Sequence, residues 1–399
     1  MNIWIIEPRD PLIARDGRPF GPNPGARATS ISFPFPSTTT GSVRARAGSD
    51  AGGSFDISRI QEVKQLTVHG PLLVELDTDN NIQRWLFSAP ADAILLETEN
   101  KTSVLRKPLV PLELPINAMT DLPADLNLVG MQKPVQVKPL GSPPRYWHWA
   151  QFKKWLLEPH ENLISVEELG HQGPAQERRT HVRVNHEAQA AEEGALFQTQ
   201  GLEFTSTDSD EQEHRLATAQ RLALAVVTDA TLDPGLGAMG GERRTVSWRK
   251  ANGELPVCPS DLIEQICEQR ACRLILLTPA CFIKGYRPTW LLQPQSGVTP
   301  TLSGMVLSRP QVVSGWDLEK NNGRGAPKPT RRLVPAGTVL FLNLDGDKDG
   351  DKMAIARWVS HFWLQSCVSD AEQDRRDGFG LAALGTWSGK LAEIEVNDE

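Results

Sequence analysis

The sequence has no surplus of positive charge. Its 399 residues carry 42 Lys and Arg against 49 Asp and Glu, a formal net charge of −7. Sequence-independent affinity for phosphates comes from an excess of cations, so this balance excludes an autonomous, charge-driven nucleic-acid binder, and any RNA site has to be local. Paired cysteines are absent as well. Cys258, Cys267, Cys272, Cys281 and Cys367 are an odd count with no C-x-x-C, which excludes a disulfide framework and a zinc ribbon and fits a reducing cytoplasm. No apolar run is long enough to cross a bilayer, Leu222 to Val227 included, and no basic stretch precedes the apolar residues of the N-terminus. The expectation is a cytoplasmic chain without membrane contact.

Several chemical signatures are missing too. None of the eight histidines forms H-E-x-x-H or is followed directly by Asp, so common metal-hydrolase patterns are excluded. The string Asp345-Gly-Asp347-Lys-Asp349-Gly350-Asp351 has Ala356 where a calcium loop needs a bidentate Glu, and it reads as an acidic turn. Gly378-Phe379-Gly380 follows a helical rather than a strand pattern, against a dinucleotide fingerprint, and it lacks the basic and aromatic residues of an RNA-recognition sheet motif. No metal and no cofactor is expected.

What is present is a loop-rich globular chain, with 32 Gly, 30 Pro and 39% hydrophobic residues, long enough for two domains. Ile3 to Ile6 read as a buried strand. A helix begins near Pro36-Ser37-Thr38, capped by Ser37 or a following Thr. Strands are expected over Gln65 to Leu76 and Ile82 to Leu96, and the Asn100 to Pro144 region reads as an ordered insertion. His148 to Leu157 spaces Trp149, Phe152 and Leu156 as an amphipathic helix packed on the core rather than a base-stacking platform. Arg178 to Val184 and Ala195 to Phe204 alternate about a charged tip and predict a projecting β-hairpin. Arg221 to Val227 would close the first domain. The second half offers strands at Thr245 to Trp248, Arg273 to Leu277, Gln311 to Trp316, Thr338 to Leu344 and Leu381 to Trp387. Its helices are expected at Asp261 to Gln269, with Asp261 and Glu264 as a capping pair, and at Met353 to Val368. The fold class is α+β, with domains over 1–235, including an insertion and hairpin at about 100–215, and 236–399.

Basic residues cluster beside glycines. From Gly17 to Ser49 the chain carries Arg18, Arg27, Arg44 and Arg46 and no acid, and it runs into the helix start at Ser37, an arrangement suited to a phosphate. Gly240-Gly241-Glu242-Arg243-Arg244 is a second cluster, and Arg324 to Arg332, with Lys328 and Arg331, a third. Each alone reads as a solvated loop. Their repetition, separated by acidic segments, favours an RNA track. His181, beside Arg183 on the hairpin, reads as an RNA- or solvent-facing histidine, with the alternative of a general base for RNA cleavage.

At these residues the sequence resembles the RAMP superfamily, specifically the subunit of the type III-B (Cmr) CRISPR effector complex that caps the guide RNA at its 5′ end. The resemblance lies in Glu7-Pro8-Arg9-Asp10-Pro11-Leu12-Ile13-Ala14-Arg15-Asp16-Gly17-Arg18-Pro19-Phe20, in Phe33 to Thr38, and in the arm His181 to Asn185 through Glu193 to Phe197. Gly240 to Arg243 and Gly378 to Trp387 complete it. It implies two ferredoxin-like (RRM-like) domains with loop and hairpin insertions, and a non-catalytic subunit in antiviral defence. That subunit would hold the crRNA 5′ handle, touch the large cyclase-like subunit and the RAMP backbone subunit, and meet target RNA indirectly. The double glycine followed by Glu242-Arg243 lacks the cyclase signature Gly-Gly-Asp-Asp. On this footing Arg15, Arg18, Arg27, Arg44, Arg243, Arg244, Arg331 and the loop Gly378, Phe379, Gly380 would meet handle phosphates. Ser37 and Thr38 would present a helix N-terminus, and His181 and Arg183 would set the hairpin where handle meets guide. The alternative is a metal-independent RAMP endoribonuclease that processes precursor crRNA.

Overall fold

The structure is a computed structural model, which describes residues 1–15, 27–28, 30–50, 52–100, 102–185, 187–206, 219–317, 320, 325–346 and 351–395. The chain folds as two interleaved units. Unit 1 comprises Met1–Gln83, Gly173–Asn252 and Val312–Arg332; unit 2 comprises Arg84–Gln172, Gly253–Gln311 and Leu333–Glu399. This differs from the division at 235/236 read from the sequence. The physical reason is that the strand Arg244–Lys250 pairs with the opening strand Asn2–Pro8, which draws residues beyond 235 into the first core.

Unit 1 is built on an antiparallel sheet in the order Val68–Leu76, Gln220–Thr228, Asn2–Pro8, Arg244–Lys250, Gly235–Met239. The central strands are the most continuously apolar segments of the chain, as strands buried on both faces must be, and Ile5, Ile6, Leu224 and Val226 are almost wholly buried. The helix Pro36–Gly48 packs on this sheet through Thr39, Thr40 and Val43. Its start corrects the expected cap. Pro36 occupies the first turn with its φ preset for helix, Phe35 is the N-cap residue, and no side chain accepts from the first turn. The strand expected from Gln65 also begins later, since Ile60–Gln65 is helical and the strand runs from Val68.

Unit 2 carries a second antiparallel sheet in the order Val298–Val306, Val339–Gly346, Ala271–Leu276, Ala382–Thr386. The helices Ser260–Gln269 and Asp351–Phe362 pack against it and against each other. The first is N-capped by Pro259 without a side-chain bond, so the Asp261/Glu264 capping pair does not form. The second stops at Phe362, because Leu364 takes φ 51° and its N–H turns to Ala382 O. The expected strand Ile82 to Leu96 is two strands, Ile82–Ser88 and Ala93–Glu97, interrupted at Pro90.

The core of unit 2 contains charge. Arg273 and Asp92, 2% and 1% exposed, pair at 2.5 Å, and Arg273 also donates to the carbonyls of Thr386 and Trp155. Asp92 accepts from Trp155 Nε1 at 2.9 Å. Arg106 lies against the rings of Trp147 and Trp155, and burial, reinforced by the charge of Arg273, pushes its pKa down to about 10. Phe152, Trp155 and Leu156 of the helix Trp149–Leu157 are fully buried, in keeping with its reading as a core helix. No described helix is long and apolar enough to cross a membrane.

Candidate nucleic-acid interface

The segment Arg9 to Arg15, with Pro11 and three charged residues, does not suit a sheet interior, and unit 1 holds it by backbone bonds on two sides. On one side Arg9 N donates to Thr245 O at 2.9 Å and Gly241 N donates to Ile13 O at 2.7 Å. On the other, Leu12 and Leu202 exchange N–H···O bonds of 2.8 Å. Two close approaches require glycine. A Cβ on Gly240, whose φ is 73°, would stand 2.6 Å from Ile13 O, and one on Gly201 would stand 2.7 Å from Pro11 Cβ. Three stretches far apart in sequence, the N-terminal segment, the base of the hairpin and the glycine turn, therefore meet.

At this junction Glu242 collects two arginines. Its carboxylate accepts from Arg244 Nη2 at 2.8 Å and Arg15 Nη2 at 3.3 Å. Glu242 and Arg243 take the left-handed conformation, φ 58° and 50°, which turns the exposed Arg243 outward between the strands Gly235–Met239 and Arg244–Lys250. Three arginines thus gather about Glu242, with Asp10 beside them, its Oδ2 accepting from Thr245 N at 3.2 Å.

The hairpin Ala175–Asn185 with Ala190–Glu203 rises from this junction, and the backbone of Arg27 pairs beside Gln198 on its second strand. His181 is stacked on Phe197 with ring centroids 5.1 Å apart, and its Nε2 lies 2.9 Å from Thr199 Oγ1. Arg183 points to Glu192 at 3.6 Å. On the other face of the arm Val182, Val184 and Leu196 are exposed. Ser37 and Thr38 are half-buried in the first turn of the helix Pro36–Gly48, with Thr38 N bonded to Phe35 O.

Not every expected residue joins this surface. Arg44 is committed to structure: its guanidinium donates to the carbonyls of Val63, Lys64 and Leu66, where it closes the helix Ile60–Gln65. The loop Gly378 to Gly380 belongs to unit 2, and its N–H groups are spent internally. Gly378 N bonds Arg375 O, Phe379 N bonds Asp374 O, and Gly380 N bonds Thr278 Oγ1, while the Phe379 ring is fully buried. This corrects its assignment as a phosphate loop, since a backbone cradle needs unspent N–H donors. Arg331 is half-buried in the strand Arg331–Leu333. Arg18 and residues 347–350 of the acidic turn lie outside the described residues.

The family model described as "CRISPR-associated protein (Cas_Cmr3)" matches residues 4–387. The chain belongs to this family. No curated protein matches it. Among solved structures it is similar to a chain of "Cryo-EM structure of the Type III-B Cmr-beta bound to cognate target RNA and AMPPnP, state 1", with 10% identity, a TM-score of 0.41 and coverage of 85% of this chain and 86% of that one. It is also similar to a chain of "Cryo-EM structure of the Type III-B Cmr-beta bound to cognate target RNA", with 13% identity, a TM-score of 0.42 and the same coverages.

Sequence reading missed a second arginine cluster in this family member. Glu7, 95% buried in its side chain, accepts from Arg249 at 2.6 Å and Arg221 at 2.8 Å, with Arg9 at 3.6 Å. Burial pushes its carboxyl up, but the hydrogen bonds from Arg221 and Arg249 and the charge of Arg9 outweigh this and hold it below the usual carboxylate value. The signal was present as an acid closing a buried strand, yet its partners stand 214 and 242 residues away.

Proposed function

We propose that this chain is a non-catalytic RNA-binding subunit of a type III-B CRISPR effector complex. In this reading unit 1 holds the 5′ handle of the crRNA through Arg15, Arg243 and Arg244, with Arg18 and Arg27 proposed as further phosphate contacts and Ser37 and Thr38 adding a helix N-terminus. The hairpin, with His181 and Arg183, reaches toward the guide and so meets target RNA only indirectly. The remaining surfaces contact the large cyclase-like subunit and the RAMP backbone subunit, in the cytoplasm, as part of antiviral defence. Each unit is a ferredoxin-like domain with one crossover helix missing. This is supported by the 2-3-1-4 strand orders, in which unit 1 lacks a helix between Thr228 and Arg244 and unit 2 lacks one between Leu276 and Val298.

The observation that carries the reading is the Glu242 junction, where two arginines are held by one acid and a third is turned outward in a glycine loop. Phosphate contacts of this kind position a single strand, while splayed bases supply recognition. The test is titration of labelled crRNA handle with the full chain and its Arg243→Ala/Arg244→Ala variant. Binding should weaken, and the slope of log K against log salt should fall by roughly one to two, since each arginine–phosphate pair on a single strand accounts for about 0.7 of it. An unchanged slope with unchanged affinity refutes the placement. Incubation of labelled repeat RNA with the chain in EDTA reads out the rival endoribonuclease directly, because specific cleavage would establish it.

A further inference from the structure

Next to the Glu242 junction, unit 1 contains a cavity of about 540 Å³, the size range of a small-ligand site. Its walls come from the helix Pro36–Gly48 and from the segment 233–248, with Arg46, Asp50, Asp233, Gly237, Arg243 and Trp248 among the lining residues. The side chains are fixed in place. Arg46 donates to Asp233 O at 2.7 Å and to Leu236 O at 3.0 Å, and its guanidinium lies over the Trp248 ring, 5.6 Å from the centroid. Trp248 is 2% exposed, so the ring itself is covered. The stacking surface on offer in this cavity is therefore the plane of Arg46. Gly237 keeps this corner tight, because a Cβ there would stand 3.0 Å from both Arg46 Nη1 and Trp248 Nε1 and press on them.

The charges of the cavity are mixed. Two arginines face two carboxylates, Asp50 and Asp233, of which Asp50 Oδ1 accepts from Ser54 N at 2.9 Å. A phosphate buried here would meet the carboxylates and be repelled, so this is not an anion pocket. A neutral planar group with N–H donors on its edge satisfies the set: carboxylate oxygens accept from it, and a guanidinium stacks on its face. Among the bases, guanine presents two adjacent donors, N1–H and N2–H, that match both oxygens of one carboxylate. Arg243, free of any described partner and standing at the rim, is placed for the attached phosphate.

We infer that this cavity receives one unstacked guanine nucleotide of the bound single strand, its base on Arg46 and its donor edge on Asp50 or Asp233. The inference rests on the RNA-binding reading above and adds a base-specific site to it.

The test uses the full chain and three fluorescein-labelled RNA octamers: octa-adenylate, the same with one central guanosine, and the same with inosine in that place, which removes N2–H. The guanosine octamer should bind about tenfold tighter than the other two, the discrimination expected of a two-point base contact. In Asp50→Asn/Asp233→Asn the preference should vanish while octa-adenylate affinity does not fall, since Asn cannot offer two acceptors to two adjacent donors. Gly237→Val, which displaces Arg46, should also lose the preference. Measurable binding of all three octamers with equal affinity by the unaltered chain overturns the pocket and leaves the RNA-binding reading standing. So does a guanosine preference that survives in the double Asn variant. Failure to bind any octamer overturns the RNA-binding reading itself, and the pocket with it.

Discussion

Glu7 and Arg249 are joined at 2.6 Å on neighbouring strands of unit 1, 242 residues apart in the chain. Arg221 completes the pair from the strand on the other side, so one carboxylate ties three strands together. Replacing Glu7 by Gln leaves two largely buried guanidinium groups without their counter-charge, at a cost of about 3 kcal/mol. Urea denaturation followed by fluorescence measures the loss, and a change below about 0.5 kcal/mol would show the cluster to be energetically idle. Because the folded carboxyl titrates below its unfolded value, its stabilisation is present above the unfolded pKa of about 4.5 and is lost as pH falls through the lower folded value.

His69 adds a second acid-sensitive element. Burial within the strand Val68–Leu76 lowers its pKa to about 4, against the weaker opposing pull of Asp229. The unfolded chain binds the proton first, so stability is full above about pH 6.5 and declines as pH falls toward 4, by roughly 3 kcal/mol over the window. A His69→Gln variant should flatten stability between pH 6.5 and 4.5, and an unaltered slope would remove His69 as its source.

At the Glu242 junction the acid competes with any bound phosphate for Arg15 and Arg244. Glu242→Gln should therefore raise affinity for single-stranded RNA several-fold at low salt and steepen the salt dependence by about one phosphate's worth. Weaker binding would mean that Glu242 holds the arginines in their working positions rather than restraining them.

In unit 2, Asp92→Ala would leave Arg273 charged and buried, with Trp155 Nε1 unpaired, at a cost of about 3 to 5 kcal/mol. Asp92→Leu combined with Arg273→Met should cost much less than the sum of the two single changes. A double-mutant cycle by denaturant titration measures this coupling, and strict additivity would deny it.

The sequence made the strand cores legible, because Ile3 to Ile6, Leu222 to Val227 and Leu274 to Leu277 are apolar beyond what any surface segment tolerates. The hairpin was legible for the complementary reason: its strands alternate, one face for each neighbour. Ends of elements were less so. Pro36 starts its helix by fixing φ at the first helical position and Pro259 is an N-cap without a side-chain bond, which the Ser37 and Asp261 cap signals obscured. For the interface, adjacency of glycine and arginine located Arg243 and Arg244 but also promoted Arg44 and the Gly378 loop, whose donors are consumed by carbonyls and by Thr278 that no local pattern reveals. Arg46 shows the converse, since only its register on a helix above Trp248 sets it into a cavity wall.

The interleaving of the two units bears on how the protein can be made and divided. A ribosome that has produced the first half has released the opening strand Asn2–Pro8 without its neighbour Arg244–Lys250, so one edge of that sheet stays open until synthesis has passed residue 250. Fragments cut at 235 would separate those two strands, whereas co-expressed pieces split inside an exposed loop that leaves both sheets whole would reassemble.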